Sequence, residues 1–142
     1  MHGAARRVGA AEAALWRCSR GTWRRQGGIK LRVGQSAHGK GLFACEELSP
    51  GQALGRMWGV VRGDEAGARA LRSDRVVLLT LHGARCAVDV SGCVYEWMNH
   101  AEEGDDACNV AVSPAGVVTA AHSIAAGEEL RWDYGDREYR FV

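Results

Sequence analysis

The sequence predicts a single domain that is mostly β, with only short helices. Its 142 residues are enough for one hydrophobic core, and 19 glycines against 2 prolines indicate many tight turns. Short apolar or alternating runs recur between turn-forming residues, which is the pattern of short β-strands. The runs are IKLRV (29–33), GLFAC (41–45), ALGRMWGVV (53–61), VVLLTL (76–81), CAVDV (86–90), NVAV (109–112) and GVVTAA (116–121).

The first 28 residues differ from the rest of the chain in charge. They carry six arginines against the single acid Glu12, so this arm is +5, and the remainder is −4 because the whole chain is +1. The stretch VGAAEAALWRCSR (8–20) predicts one short helix, and GTWRRQGG (21–28) predicts a linker. The domain proper is then 29–142. The basic arm is interpreted as a solvated extension, an organelle-targeting segment or a nucleic-acid contact.

One further helix is predicted within the domain. In GDEAGARALR (63–72), Asp64 is a suitable N-cap, and Ala68 and Leu71 lie on one side of the helix that would follow.

Cysteine usage and hydrophobicity indicate an intracellular protein. The five cysteines are odd in number and contain no C-x-x-C pair, so we predict neither a zinc site nor a disulfide framework. No run approaches the roughly 20 apolar residues that cross a bilayer, so no membrane association is predicted. We expect the nucleus or the cytoplasm, with an organelle as the alternative suggested by the Arg-rich start.

The glycine-rich stretch VGQSAHGKGLFA (33–44) has two interpretations. Gly34, Gly39 and Lys40 have the G-x-x-x-x-G-K spacing of a phosphate-binding loop, but Gly41 stands where that loop needs a hydroxyl, and a strand rather than a helix follows. Alternatively, Gly39 and Gly41 flank Lys40 in G-x-G-x-x-A, where residues without side chains let a cofactor lie against the backbone. The same pattern is also typical of an ordinary glycine-rich hairpin loop that binds no cofactor.

Two later motifs carry polar residues that could form a site. In YEWMNHAEEGDDACNVAV (95–112), Asn99 and His100 precede an acidic loop, and Asn109 opens the next predicted strand. In GEELRWDYG (127–135), a glycine turn leads into a strand that carries Trp132 and Tyr134 on the same face. The acidic loop contains Glu102, Glu103, Asp105 and Asp106.

The order of these motifs over residues 29–136 resembles that of the SET-domain family of protein-lysine methyltransferases. The resemblance implies a β-clip-like fold of small curved sheets with a knot-like C-terminal segment. It also implies S-adenosylmethionine as cofactor and methyl transfer to a lysine side chain. The partner implied by the resemblance is a protein with an exposed lysine in a basic segment, such as a histone tail.

The resemblance also assigns roles to individual residues. Gly39, Lys40 and Gly41 match the glycine loop that contacts the methionine part of the cofactor. Asn99 and His100 match the Asn-His pair that holds the cofactor through a side-chain amide and backbone groups. Asn109 resembles the asparagine that closes this motif. Tyr134 matches the tyrosine at the mouth of the channel that joins lysine and methyl donor, where it also contacts the cofactor.

Several positions depart from the family pattern. Met57 stands where many members have a tyrosine that helps to hold the amine, and Trp132 replaces the usual phenylalanine or tyrosine in the channel. Glu96 replaces an arginine before the Asn-His pair, and Ala101 replaces a serine after it. The cysteine-rich flanks of many histone-directed members are missing from this sequence.

The chemistry of methyl transfer explains why such residues are needed. A lysine with a pKa of about 10.4 must lose its proton at a cost of about 4 to 5 kcal/mol at pH 7. A tyrosine hydroxyl of similar pKa is a poor base, so we expect Tyr134 to orient the amine instead. The acidic loop is expected to attract a basic substrate. Two alternatives remain: a non-catalytic SET-like module that binds a basic tail, and a nucleotide-binding protein related to P-loop proteins.

Overall fold

The structure, a computed structural model, describes residues 6–64, 66 and 75–135, and within them short strands make up most of the regular structure. The predicted fold class, mostly β with short helices and curved sheets, is confirmed. In chain order the elements are β1 (Arg7–Val8), α1 (Ala10–Ala13), β2 (Trp16–Ser19), β3 (Thr22–Arg25), β4 (Lys30–Ser36), β5 (Gly39–Ala44), β6 (Ala53–Arg56), β7 (Gly59–Asp64), β8 (Val76–Leu81), β9 (Ala84–Asp89), a 3-10 helix (Val94–Trp97), β10 (Asn99–His100), β11 (Val110–Val112), β12 (Val117–Ala120) and β13 (Glu129–Trp132).

The strands form two sheets. The smaller sheet has the order β1-β7-β9-β8 and is antiparallel throughout. The larger sheet has the order β2-β3-β4-β5-β13-β11-β12-β6, with β10 pairing to β13 outside that path. Strand β13 is antiparallel to β5 but parallel to both β10 and β11. The C-terminal strand therefore joins segments that are far apart in sequence.

One hydrophobic core connects the two sheets. Leu31, Leu42 and Leu130 of the larger sheet belong to the same cluster of buried side chains as Val77 and Val88 of the smaller one. All five are at most 4% exposed. Complete burial of such a side chain stabilises the fold by roughly 1.5 to 3 kcal/mol, so β13 is held in place by packing as well as by hydrogen bonds.

All seven predicted apolar runs contain strands, but one of them contains parts of two strands instead of one. The run 53–61 makes two strands, β6 and β7, which are separated by Met57 and Trp58. The Met57 amide donates to the carbonyl of Gly116, and its side chain is only 2% exposed. This turn into the core interrupts what reads in sequence as one continuous strand.

The predicted linker at 21–28 is wrong, because Thr22–Arg25 form β3 and pair with β2 in a hairpin. The hairpin turn consists of Arg20 (φ 52°) and Gly21 (φ 80°), the backbone of a tight two-residue turn. Trp16 of β2 is 5% exposed and packs edge-on against Tyr95 at 5.9 Å between ring centroids. Burial of this indole in the core outweighs the helical preference of the preceding alanines, so the predicted helix is confined to α1.

A half-buried ion pair lies within this N-terminal segment. The Glu12 carboxylate accepts hydrogen bonds from Arg25 at 2.8 and 3.0 Å and from the Trp16 indole at 2.7 Å. The bonds from Arg25 outweigh the effect of burial and lower the pKa of Glu12. The arm from residue 7 to residue 25 is thus an integral part of the packed structure.

The helices of the described part are short. α1 and the 3-10 helix have four residues each, and no helix in the described ranges is long and apolar enough to cross a membrane. The helix predicted for 63–72 lies largely outside the described residues; Asp64, its predicted cap, is the last residue of β7.

Candidate functional site

The predicted glycine loop is the hairpin between β4 and β5. Ser36 pairs with Gly39 and Gln35 with Lys40, and Gly39 has a φ of 91°, which favours glycine. The loop continues into strand β5 rather than into a helix. The nucleotide-binding interpretation is therefore wrong, because a phosphate-binding loop needs a following helix whose N-terminus faces the phosphates.

Gly41 is glycine for a different reason. A Cβ atom at this position would overlap the carboxylate of Glu129 and approach the Ser36 Cβ atom to 3.1 Å. The absence of a side chain thus lets a carboxylate from β13 lie against the glycine hairpin.

Glu129 lies at the centre of the candidate site, although the sequence analysis did not single out this residue. Its carboxylate is 10% exposed and accepts hydrogen bonds from Ser36 Oγ (3.0 Å), Asn99 Nδ2 (2.7 Å) and Arg131 Nη2 (2.7 Å). Burial alone would raise the pKa of Glu129, but the bonds from these three side chains outweigh it and lower the pKa. One ionised carboxylate therefore joins the glycine hairpin to the Asn-His pair.

The side-chain amide of Asn99 has a fixed orientation. Its Nδ2 donates to Glu129 and to the carbonyl of Lys40 at 3.2 Å, and both partners are acceptors only. This assigns the nitrogen and oxygen of the amide unambiguously and leaves Oδ1 as an acceptor for another group. No hydrogen bond to Oδ1 occurs among the described residues.

His100 and Tyr134 are in direct contact. The backbone amide of Tyr134 donates to His100 Nδ1 at 3.2 Å, which makes Nδ1 the acceptor, and the two rings lie 5.0 Å apart. Trp132 packs edge-on against the Tyr134 ring at 5.4 Å. The parallel pairing of His100 with Trp132 in β10 and β13 explains why these residues meet.

Tyr134 stands between two cavities. Its hydroxyl donates to the carbonyl of Met98 at 2.7 Å. Tyr134, Glu96 and Met98 line both a polar cavity of about 270 Å³ and a much smaller cavity whose other lining residues are hydrophobic. Tyr134 thus lies where these two cavities meet, and its role at the mouth of a lysine channel stays a prediction.

The small cavity contains both residues predicted for the substrate channel. Met57 and Trp132 line it together with Tyr95, whose hydroxyl donates to the carbonyl of Leu54 at 2.8 Å. Burial strongly raises the pKa of Tyr95, so this hydroxyl stays protonated. The cavity volume is about 10 Å³, which is room for about one water molecule. This cavity is too small to hold a side chain.

The polar cavity combines cations, acceptors and a flat ring. Lys40 Nζ and the Arg75 guanidinium lie 5.7 and 5.4 Å from the centre of the Trp97 ring, and Arg75 Nη1 is 3.1 Å from the Glu96 carboxylate. The Glu96 side chain is 7% exposed. His38 and Asn99 complete the lining together with Lys40, Arg75, Glu96, Trp97, Met98 and Tyr134.

Asn109 holds β13 in place. It is 1% exposed; its Nδ2 donates to the Glu129 carbonyl (2.8 Å) and to Glu128 Oε2 (3.0 Å), and its Oδ1 accepts from the Arg131 amide (2.9 Å). Asn109 therefore serves the site by fixing the backbone that carries Glu129.

The acidic loop is only partly associated with the site. All four of its acids are exposed, but only Glu103 lines a third cavity, of about 280 Å³, together with Asp133 and Trp132. Burial and the nearby carboxylates of Asp133, Glu103 and Asp105 raise the pKa of Cys108 in the same cavity. This side of Trp132 is therefore negatively charged. Glu102, Asp105 and Asp106 do not line the cavity.

Within the described part of the chain, no group of three or more His, Cys, Asp or Glu side chains is arranged to hold a metal ion.

The chain belongs to the SET domain family, because the family model matches residues 39–135. No curated protein matches the sequence. Among solved structures, it is similar to a humanized mutant of the Chaetomium thermophilum Polycomb Repressive Complex 2 bound to the inhibitor GSK126. The identity is 27% and the TM-score 0.59, over 75% of this chain and 15% of that one.

Two further structures share the fold. The Neurospora SET domain protein DIM-5, a histone lysine methyltransferase, is 18% identical with a TM-score of 0.59, over 75% of this chain and 52% of that one. CpSET8 from Cryptosporidium is 16% identical with a TM-score of 0.58, over 76% and 58%. The chain thus spans between 15% and 58% of the length of these three chains.

Proposed function

We propose that this domain transfers a methyl group from S-adenosylmethionine to a lysine side chain of a basic protein segment such as a histone tail. The observation that carries the proposal is the position of Tyr134 between a polar cavity and a much smaller one lined mostly by hydrophobic side chains. Membership of the SET domain family supports it, as does the fold shared with a histone lysine methyltransferase.

The residues of the polar cavity fit the amino-acid part of this cofactor. An α-carboxylate needs cations, which Lys40 and Arg75 supply, and an α-ammonium needs acceptors, which Asn99 Oδ1 and Glu96 supply. When bound, S-adenosylmethionine supplies an electrophilic methyl group on a positively charged sulfur. We assign Gly39, Lys40, Gly41, Asn99, His100 and Tyr134 to its binding.

Tyr134 would orient the amine rather than deprotonate it. Because its O–H donates to the Met98 carbonyl, its oxygen faces an incoming amine as an acceptor. Accepting one N–H bond fixes the direction of the nitrogen lone pair, and such alignment can contribute on the order of 7 to 11 kcal/mol. Most side chains that line the channel are hydrophobic and disfavour the ammonium form, while the charge of Glu96 in the same lining is paired with Arg75.

The small volume of this cavity bears on how many methyl groups are added. A cavity of about 10 Å³ admits a lysine only if a lining side chain moves, and Met57 is the more adaptable because it is unbranched. Trp132 is rigid and already in contact with Tyr134. We therefore expect chiefly monomethylated product, since a larger head group would need further displacement in a packed region.

The decisive experiment uses labelled S-adenosylmethionine with lysine-containing basic peptides and the full chain. The parent protein should label the peptide. Tyr134→Phe should lower kcat strongly while the Kd for the cofactor, measured by calorimetry, stays within about 2-fold, because phenylalanine keeps the ring beside the cofactor and the lost hydroxyl acts mainly in the transition state. Equal turnover by the two proteins would contradict the assigned role of Tyr134.

The small volume of the cavity beside Tyr134 also favours one alternative, a non-catalytic module that binds a basic tail. Peptide binding in the presence of the cofactor, with no labelled product from any peptide or from a whole-cell extract, would support this alternative instead.

A further inference from the structure

The N-terminal hairpin and β4 present a cationic face to the outside. Register places Arg17 opposite Arg24 and Arg24 opposite Lys30, so three cations form a row across three adjacent strands. Arg32 lies on the same face because it is two residues from Lys30. Three of these side chains are exposed and Lys30 is half-buried.

The opposite face of the same strands is apolar and belongs to the core. Trp16, Trp23 and Leu31 alternate with the four cations, and all three pack in the main hydrophobic cluster. The alternation therefore sorts indoles inward and cations outward. Within the hairpin, Ser19 and Thr22 share the outward face and carry hydroxyl groups.

Like charges directly opposite one another on a sheet are destabilising, which makes this row unusual without a ligand. Arg17, Arg24, Lys30 and Arg32 form no ion pair with any described residue. The Glu46 carboxylate accepts from the backbone amide of Lys30 at 3.1 Å and not from its side chain.

A concave region lies at the end of the row. A cavity of about 320 Å³ is lined by Leu15, Arg17, Arg24 and Gln26. The guanidinium of Arg17 is directed by hydrogen bonds to the carbonyls of Ala14 (3.5 Å) and Trp16 (3.4 Å). Two guanidinium groups beside one cavity are suited to an anionic group with several oxygen atoms, such as a phosphate.

We propose that this cationic face, formed by Arg17, Arg24, Lys30 and Arg32, binds the phosphate backbone of a nucleic-acid duplex. Adjacent strands are about 4.8 Å apart, so the row spans about 10 Å, which matches a few successive phosphates of one strand. Binders of single strands stack bases on aromatic rings, whereas both indoles here face the core and the Phe43 ring is covered by Arg32 at 4.8 Å. The contacts available are to phosphate only, so binding is independent of base sequence.

The test is fluorescence anisotropy of the full chain with a labelled DNA duplex of about 20 base pairs and mixed sequence, at several salt concentrations. Four phosphate contacts predict a slope of about −3.6 in log Ka against log salt, which is an affinity loss of about 150-fold between about 50 and 200 mM. The variant R17Q/R24Q/K30Q should weaken binding and reduce the slope to about −0.9. Arg56→Gln, the same change on the strand at the other end of the sheet, should leave both values unchanged.

Thermal denaturation separates lost binding from misfolding. Removing like charges from the row should leave the Tm of the triple variant equal to or above that of the parent. An unchanged salt slope in the triple variant, or equal losses in the Arg56→Gln control, would overturn the proposal. So would tighter binding to a single strand of the same length, or binding to anionic lipid vesicles without binding to the duplex.

Discussion

Replacing Glu129 by glutamine tests whether one carboxylate positions the cofactor site. The parent carboxylate accepts from Ser36, Asn99 and Arg131, whereas glutamine loses the charge and turns one acceptor into a donor. Hydrogen bonds to charged groups contribute about 1.5 to 3 kcal/mol each, and part of this is offset because the neutral group is cheaper to bury. We expect a net loss of about 2 to 3 kcal/mol in the free energy of unfolding.

Thermal denaturation at pH 7 gives the first readout. For a chain of this length, that loss corresponds to a fall in Tm of about 6 to 9 °C. Glu102→Gln is the matched control, because Glu102 is exposed and the same chemical change should alter stability by less than about 0.5 kcal/mol.

The pH dependence gives an independent readout. The pKa of Glu129 is lowered in the folded state, so this group stabilises the fold above its ordinary value of 4.5 and loses that contribution as the pH falls below it. The difference in stability between parent and Glu129→Gln should therefore narrow in acid. A difference that stays constant from pH 7 to well below the ordinary value would refute the assignment of an ionised, stabilising carboxylate.

Calorimetry with S-adenosylmethionine completes the test. Asn99→Ala should weaken binding by about 10- to 150-fold, because it removes a bond to a charged group. If Glu129 acts by holding Asn99, the double variant should bind little worse than Asn99→Ala alone, and the two effects should be non-additive. Strictly additive effects would show that Glu129 does not position Asn99.

Three further predictions concern the surroundings of the site. Trp132→Phe should enlarge the channel and shift the product, analysed by mass spectrometry at exhaustive reaction, from monomethyl-lysine toward higher methylation; an unchanged distribution would contradict the role of Trp132. Gly41→Ala should lower the free energy of unfolding by about 1 to 3 kcal/mol, since the new Cβ atom overlaps the Glu129 carboxylate; thermal denaturation would detect the loss. Peptides rich in Lys and Arg should bind better than neutral ones, with an advantage that shrinks as salt is raised and is smaller in Glu103→Gln; salt-independent binding would exclude the acidic loop from recognition.

The motifs that form the candidate site could be recognised from the sequence, because each polar motif adjoins a turn or the end of a strand. The contacts among these motifs could not be predicted, because Glu129 is one of several acids in GEELRWDYG and nothing distinguishes it in the sequence. Its importance arises from the pairing of β13 with β5, which brings a carboxylate to Gly41 and Asn99 over large sequence separations. The contact between Gly41 and Glu129 joins two paired strands, so no short stretch of sequence could have indicated it.

The N-terminal hairpin was missed for a related reason. Its turn is Arg20-Gly21 rather than the Asn-Gly or Asp-Gly that usually indicates a two-residue hairpin. The segment that contains Trp23 and Arg24 is rich in charge and glycine, so its sequence resembles that of a linker. Only the folded structure shows the buried surface against which the indole packs. Local propensity thus failed where tertiary packing decided the structure.

The parallel pairing of β13 with β10 and β11 has a consequence for the folding pathway. Contacts between distant segments form slowly, because the entropy of closing long loops is lost before the contacts are gained. Glu129, Trp132 and Tyr134 all lie on or just after this last strand, so a nascent chain that lacks it has no complete pocket. The ability to bind a ligand should therefore appear only when the whole domain folds. A ligand present in the cell would then stabilise the folded state by mass action.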